Sequence, residues 1–456
     1  MKKTVILLTL FLAFLLAGCG GKENEDPGVT TLIYANMTKD GVDRQAVDRF
    51  NQAHTDVQIE VRDYFSEDSP DGKNGKDLLF AEIAAGKMPD IIDMGSDLTN
   101  SSRLPYQMMV YKGLLEDLWP YIENDPGLGR ESVLEAPLKA AEIDGGLYVA
   151  FGEFAIQTVV GAESVVGDRY GWTLDELLGT FDTMPEDSSI VEYCYQKSNM
   201  FYYVFSMSIE QYIDWETGEC SFDSEAFRAE LEFVNSFPAE FDWEAEGGDD
   251  VVNLEITDRI LSGRQMLSMI NIFRPEYIQY VDAFFGLGGK AAFVGYPTSD
   301  GSTGSSFYIR GPRLAMSSFC QNKDAAWEFI RELFLPKYRN MKALQDMEEI
   351  EDGGIYDIPI NRADYELIGK YEMQNAEHKE YVLYGGPRVK KHKVTKDELA
   401  RYDDLVNNIN KINLYDCEVY DTAYEVAGAY FAGDKTLDEA VDLIQRRVTL
   451  YVNELR

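Results

Sequence analysis

Polar residues stand where two short hydrophobic runs end. Asn36 follows Thr31-Leu32-Ile33-Tyr34-Ala35, and Asp93, Ser96 and Asp97 follow a run that begins Pro89-Asp90-Ile91-Ile92. In open parallel sheets, side-chain oxygens and amides at the carboxyl ends of strands face the crevice that takes a ligand. The same residue types build turns, so at these positions a ligand site and plain turn chemistry weigh evenly. Asn271 and Phe273 follow a strand-like run, Met266–Ile270. Tyr296 precedes Pro297 and a Gly/Ser loop, and Trp243 lies beside Glu244 in an irregular stretch near Gly247-Gly248. The chemistry on offer is recognition by hydrogen bonds and aromatic faces. No nucleophile elbow, P-loop or zinc-ligand word is present. The three histidines, His54, His378 and His392, are far apart, so neither a histidine metal site nor a cofactor is expected. Residues 71–77 look faintly like a calcium loop, but Lys73 and Lys76 intrude and the acidic spacing is wrong, which leaves a solvated loop.

Local patterns supply the elements that would hold these residues. The run around Leu32 reads as a strand, and apolar residues at Val42, Val47, Phe50 and Ala53 as a helix. Val57-Gln58-Ile59-Glu60-Val61 alternates with period two, as a half-buried strand does. Leu78, Leu79, Ile83 and Ala84 mark a second helix, with Gly86 placed to end it and Pro89–Met94 as a third strand. This βαβαβ order predicts a parallel sheet with right-handed crossovers. Thr173 with Glu176, and Thr436 with Glu439, have the spacing of capping boxes. Leu437, Val441, Ile444, Val448, Tyr451 and Leu455 form one apolar stripe along a terminal helix. The aromatic helical run Phe201–Phe205 places Tyr202 and Tyr203 in the core by expectation, and Trp172 and Trp327 read as packing residues.

The chain has 456 residues, with 80 Asp+Glu against 42 Lys+Arg and a formal charge of −38. Nucleic acid is excluded as a partner on this balance, because phosphate binding needs a cationic face. Adhesion to anionic lipid through the protein surface is disfavoured for the same reason. At the N-terminus, Lys2 and Lys3 precede the apolar run Val5–Gly18, which is shorter than the ~20 residues of a membrane-spanning helix and reads as a secretory signal. Leu16-Ala17-Gly18-Cys19 matches the bacterial lipoprotein signal, in which cleavage precedes the cysteine and lipid is attached to its sulfur. Residues 1–18 are thus expected to be a lipoprotein signal peptide and 19–28 a flexible tether. Losing Lys2 and Lys3 moves the formal charge to −40. Cys194, Cys220, Cys320 and Cys417 remain, and a chain this long needs no disulfide staples. Mostly unpaired, buried thiols are expected.

Words spread along the whole chain resemble the extracellular solute-binding proteins of ABC importers, specifically the sugar-binding family 1. They are Ile83-Ala84-Ala85-Gly86-Lys87-Met88-Pro89-Asp90-Ile91-Ile92, Asp144-Gly145-Gly146-Leu147-Tyr148, Leu314-Ala315-Met316-Ser317-Ser318, Asp324-Ala325-Ala326-Trp327-Glu328-Phe329-Ile330 and Ile358-Pro359-Ile360-Asn361. Each word is short, and their order carries the signal. The resemblance implies a periplasmic-binding-protein-like (type II) fold: two α/β lobes joined by a hinge, with the ligand cleft between them. Lobe 1 would hold 29–150 plus 290–340, and lobe 2 would hold 151–289 plus 341–456. Phe151 and Glu153 would then lie at the crossover between lobes, near the ligand. With Asn36, Asp93, Ser96, Asp97, Trp243, Asn271, Phe273 and Tyr296 they complete the set of candidate ligand-binding residues. Carboxylates and amides would bond sugar hydroxyls while aromatic faces pack on C–H surfaces. The implied partners are a small-molecule sugar, ABC permease subunits and the membrane, reached through lipid on Cys19. The implied body is a monomer on the extracytoplasmic face, with no catalytic residues and no metal. A non-sugar solute such as a peptide or polyamine, a scaffold or adhesin that has lost transport, and a secreted glycoside hydrolase remain the competing expectations.

Overall fold

Seven consecutive residue pairs, from Thr30↔Val57 to Asn36↔Asp63, join strand β1 (Thr30–Asn36) in parallel to β2 (Val57–Asp63). Helix α1 (Arg44–Ala53) makes the crossover, with its first turn capped by the Asp43 carboxylate on the N–H of Ala46. Helix α2 (Lys73–Ala84) makes the next one, and Gly86 at φ 72° follows its end. Strand β3 (Ile91–Asp93) then pairs in parallel with β1 through Tyr34↔Ile91. The βαβαβ unit is as the hydrophobic pattern predicts. The computed structural model describes residues 29–37, 43–64, 73–95, 104–302, 304–344, 357–375, 380–383 and 386–456. One expectation is corrected: the solvated loop expected through residue 77 gives way to helix from Lys73, because Leu79 is buried against the core and pulls the preceding turn into the helix.

Two long strands organise the rest. Strand β4 (Ala150–Ala162) pairs antiparallel with β7 (Ser306–Met316), from Ala150↔Leu314 to Gln157↔Ser306, with a bulge between Phe151 and Glu153. At one end β7 joins β3 through Asp93↔Leu314 and so continues the sheet of β1 and β2. Toward the other end β4 takes β5 (Ser268–Ile272) and β6 (Ala291–Phe293), while β7 takes β11 (Lys411–Ile412). Strand β8 (Ile358–Pro359) lies against Glu153 and Phe154 of β4. The resulting mixed sheet has the order β2-β1-β3-β7-β4-β5. Strands β9 (Glu380–Val382) and β10 (Arg388–Lys390) form a separate hairpin.

Burial divides into two large clusters. One surrounds the β1–β3 region and the long strands, with Leu32, Tyr34, Ile92, Phe154, Phe307 and Phe334 at its centre. The second is built by helices. After α3 (Tyr106–Tyr111) come α4 (Leu174–Phe181), α5 (Lys197–Ser208), α6 (Glu225–Asn235), α7 (Asp249–Leu261), α8 (Arg362–Gln374), α9 (Cys417–Phe431) and α10 (Leu437–Leu455); α4, α5, α6, α9 and α10 enclose Trp172, Phe201, Phe205, Phe227 and Ile444, whereas Val252, Ile256 and Ile260 of α7 join the first cluster. Val441, Ile444 and Val448 of the expected terminal stripe are buried, and Leu437, Tyr451 and Leu455 pack at its margin. Each such aliphatic side chain contributes about 1.5–3 kcal/mol. Both capping boxes form, at Thr173/Glu176 and at Thr436/Glu439. Among the described residues no disulfide forms. Cys194 and Cys320 are buried thiols, while Cys220 and Cys417 are half-buried. No described helix is long and apolar enough to cross a membrane.

Candidate functional site

The shared strand pair has two unlike faces, because successive side chains alternate across a strand. Phe154 opposite Ile309 and Ile156 opposite Phe307 are buried in the first core. The rows between them are polar: Glu153 lies opposite Arg310, Ala155 opposite Tyr308, and Gln157 opposite both Ser306 and Asn271. Arg310 and Asn271 are exposed, and Glu153, Gln157 and Tyr308 are half-buried. Lys337 Nζ donates to Glu153 Oε1 at 2.7 Å, and Arg310 Nε donates to Asp357 Oδ1 at 3.0 Å. The Lys337 segment is itself held by Asp364, whose carboxylate accepts from the backbone N–H groups of Lys337 and Tyr338. Asn413 Nδ2 donates to Gln157 Oε1 at 2.9 Å. This floor alternates donors and acceptors, and its two ion pairs cancel.

A run of tyrosines is tied to this floor along the chain, because Asn413, which bonds Gln157, lies two residues before Tyr415. Tyr195 stacks on Tyr203 with ring centroids 5.5 Å apart, and Tyr203 meets Tyr202 edge-on at 5.5 Å. Tyr202 reaches Tyr420 at 6.4 Å, and Tyr420 contacts both Tyr415 and Tyr424. Tyr202 is 41% exposed and Tyr424 42%. The expectation of a core residue is therefore corrected for Tyr202, whereas Tyr203 is half-buried and packs against the second core. On α5 the fully buried positions are Phe201 and Phe205, one turn apart, and a step of about 100° per residue turns Tyr202 away from them toward solvent.

At the far end of this run a depression of about 300 Å³ is lined by Glu192, Tyr195, Asn199, Asn253 and Trp243. Trp243 stands 37% exposed at its rim. Burial pushes the Glu192 carboxyl up to about 7, against hydrogen bonds from Gln265 and Tyr195 that draw it down. Its Oε2 has no hydrogen-bond partner. A carboxyl that is half protonated near neutrality can both donate to and accept from a hydroxyl group.

The sequence-derived candidates divide accordingly. Glu153 and Asn271 share the polar floor, and Phe273, half-buried 5.5 Å from the Tyr277 ring, follows the strand that carries Asn271. Trp243 borders the depression. Asn36 and Asp93 do stand at strand carboxyl ends but are turned inward. Asn36 Nδ2 donates to Asp63 Oδ1 at 2.7 Å, and Asp93 accepts from the N–H groups of Arg313 and Gly95. Burial raises the Asp93 carboxyl to about 6 despite those bonds and the nearby Arg313. Phe151 is wholly buried against Phe307, and Tyr296 is buried with its hydroxyl unpartnered. Ser96, Asp97 and Cys19 lie outside the described residues. Reading from sequence alone missed Glu192, Tyr195, Arg310, Lys337, Tyr415, Tyr420 and Tyr424. The spacing of Tyr420 and Tyr424, one helical turn apart, was the available signal. No group of three or more His, Cys, Asp or Glu placed to hold a metal ion occurs among the described residues.

The sugar-binding protein MalE from Xanthomonas citri superposes on the chain with a TM-score of 0.50 at 16% identity, over 93% of this chain and 98% of that one. The fold is of the MalE type. A de novo designed cysteine esterase shares it, at TM-score 0.51 and 12% identity over 94% of this chain and 99% of the design. An extracellular solute-binding protein of family 1 from Alicyclobacillus acidocaldarius gives TM-score 0.45 at 13% identity, over 93% and 99% of the two chains. No protein-family model and no curated protein matches. A fold that carries both a sugar binder and an esterase does not decide function, so the site must.

Proposed function

We propose that the protein is a lipid-anchored, extracytoplasmic solute-binding protein of family 1 that captures a carbohydrate, an oligosaccharide by the length of its tyrosine run, and delivers it to the permease of an ABC importer. The observation that carries this reading is the chain of tyrosines from Tyr195 to Tyr424, left partly exposed and linked to a neutral polar floor through the Asn413–Tyr415 segment. Aromatic faces accept the C–H surfaces of sugar rings, and Glu153, Arg310, Gln157 and Asn271 offer acceptors and donors to hydroxyls. A charged solute would face ion pairs that already cancel, which favours a neutral polyol over a peptide or polyamine. The MalE-type fold supports the same reading. The two lobes would be 29–150 plus 290–340 and 151–289 plus 341–456, with β4 and β7 as the bending elements and closure as a hinge motion. Cys19 would carry the lipid, and the body would be a monomer that catalyses nothing.

Thermal-shift screening across neutral oligosaccharides, peptides and polyamines tests it. A sugar at 100 times its Kd should add ~2.7 kcal/mol of stability. Stabilisation by peptides or polyamines alone would move the assignment to another solute, and glycan hydrolysis lost on changing one carboxylate would make the protein an enzyme.

A further inference from the structure

A second cavity lies on the other side of helix α5. Asn199, Tyr202 and Tyr203 belong to the tyrosine side of this helix, whereas Val204, Met207 and Ser208 recur at the spacing of the opposite stripe and line a cavity of about 360 Å³. That volume is at the lower end of the ~300–1,000 Å³ typical of small-molecule sites. Its remaining walls come from the start of α4, from α6 and from the loop around Pro297. Most of the lining is carbon, including Leu174, Val204, Met207, Ala226, Ala229 and Phe233.

The polar end of the cavity is Glu230 on α6. Ser208 Oγ donates to its Oε2 at 2.8 Å and Gln211 Nε2 to its Oε1 at 3.3 Å, both neutral donors. The nearest cation is Lys411, which also lines the cavity and whose Nζ is bonded to the Met207 carbonyl. Lys411 is shared with Glu210, and Glu210 in turn lies against Asp416. One lysine thus faces two carboxyl groups, Glu230 and Glu210. Two more acids, Asp175 and Glu225, stand exposed on the cavity lining. The electrostatic imbalance is toward missing positive charge, inside and at the mouth. The hydroxyl of Tyr212 and the ammonium of Lys411 are the titratable neighbours of Glu230, and its carboxyl is raised to about 7 chiefly by burial.

We propose that this cavity is a second binding site, separate from the tyrosine-lined one, for a small apolar primary amine bound as its ammonium ion. The ammonium would donate to the Glu230 carboxylate, and the hydrocarbon body would occupy the space between Val204, Ala229 and Phe233. Glu230 gives up its proton to solvent as the cation enters, so binding at neutral pH releases up to one proton and tightens as pH rises from 6 to 8.

Calorimetric titration of the purified protein with 2-phenylethylamine, which stays protonated over that range, tests this. The expected result is saturable binding at least tenfold tighter than that of its neutral counterpart 2-phenylethanol, tighter at pH 8 than at pH 6, and lost in E230Q. A Tyr420→Ala variant should bind the amine as the wild type does. The proposal is overturned if the amine gives no saturable heat, if the alcohol binds equally well, if E230Q keeps the wild-type affinity, or if Tyr420→Ala abolishes amine binding. Should E230Q not melt cooperatively, Ala229→Phe decides: it fills the cavity, and amine binding that survives it refutes the site.

Discussion

Tyr420 touches three other tyrosines of the wall, which makes it the residue on which the proposed sugar site depends most. Replacing it with alanine removes one aromatic face and loosens the ring contacts with Tyr202, Tyr415 and Tyr424. About 1.4 kcal/mol is a factor of ten in affinity, and we expect a loss of about tenfold to a hundredfold in sugar binding by calorimetry, with a modest fall in melting temperature because the ring also meets the buried Phe201 edge-on at 5.4 Å. Trp172 should behave in the opposite way. It is wholly buried and its Nε1 donates to the Gly295 carbonyl at 3.1 Å. Trp172→Ala should cost about 3–5 kcal/mol of stability by denaturant unfolding. Its ligand affinity should persist under conditions where it is folded.

Among the elements, those decided by neighbours in sequence were legible before the fold was known. The βαβαβ unit, Gly86, both capping boxes and the terminal helix rest on patterns within a few residues, so no distant contact is needed to read them. Thr436→Ala should therefore lose the capping box of α10 at a cost of about 1 kcal/mol, seen as a lowered urea midpoint with unchanged slope. What could not be read was which side of an element faces what. Asn36 looked like a ligand-facing strand end, but the parallel register sets Asp63 beside it, and that bond forms only once β2 is in place. Tyr202 and Tyr203 of the aromatic helix were expected to be core. The helix's division into a buried Phe201/Phe205 side and a tyrosine side depends on α9, some 200 residues away. Glu153 and Asn271 could be placed on the floor because strand ends and crossovers were visible. Arg310 and Lys337 could not, since Arg310 reaches the floor through pairing across the long strands and Lys337 through a segment held by the distant Asp364.

The whole molecule combines a formal charge of −38 with several carboxyl groups buried away from it. Glu192, Glu230 and Asp416 are each raised to about 7, chiefly by burial. In the unfolded chain such groups ionise near 4. Between those limits the folded state binds more protons, so stability falls as pH rises through that window and is fullest below it. The melting temperature should accordingly be higher at pH 5.5 than at pH 7.5, by on the order of 5 °C. A lower melting temperature at pH 5.5 would mean that these carboxyls are ionised and paired in the fold. Added salt at pH 7.5 should also raise it, because screening weakens the self-repulsion of the acidic surface.

Binding by the tyrosine wall is the claim on which the functional account stands, and one comparison reaches it directly. Wild-type protein and Tyr420→Ala are titrated calorimetrically with the neutral oligosaccharide that gives the largest thermal shift. The account predicts saturable binding by the wild type and binding at least tenfold weaker in the variant. Equal affinity in both proteins, or no oligosaccharide that shifts the wild type at all, would contradict it.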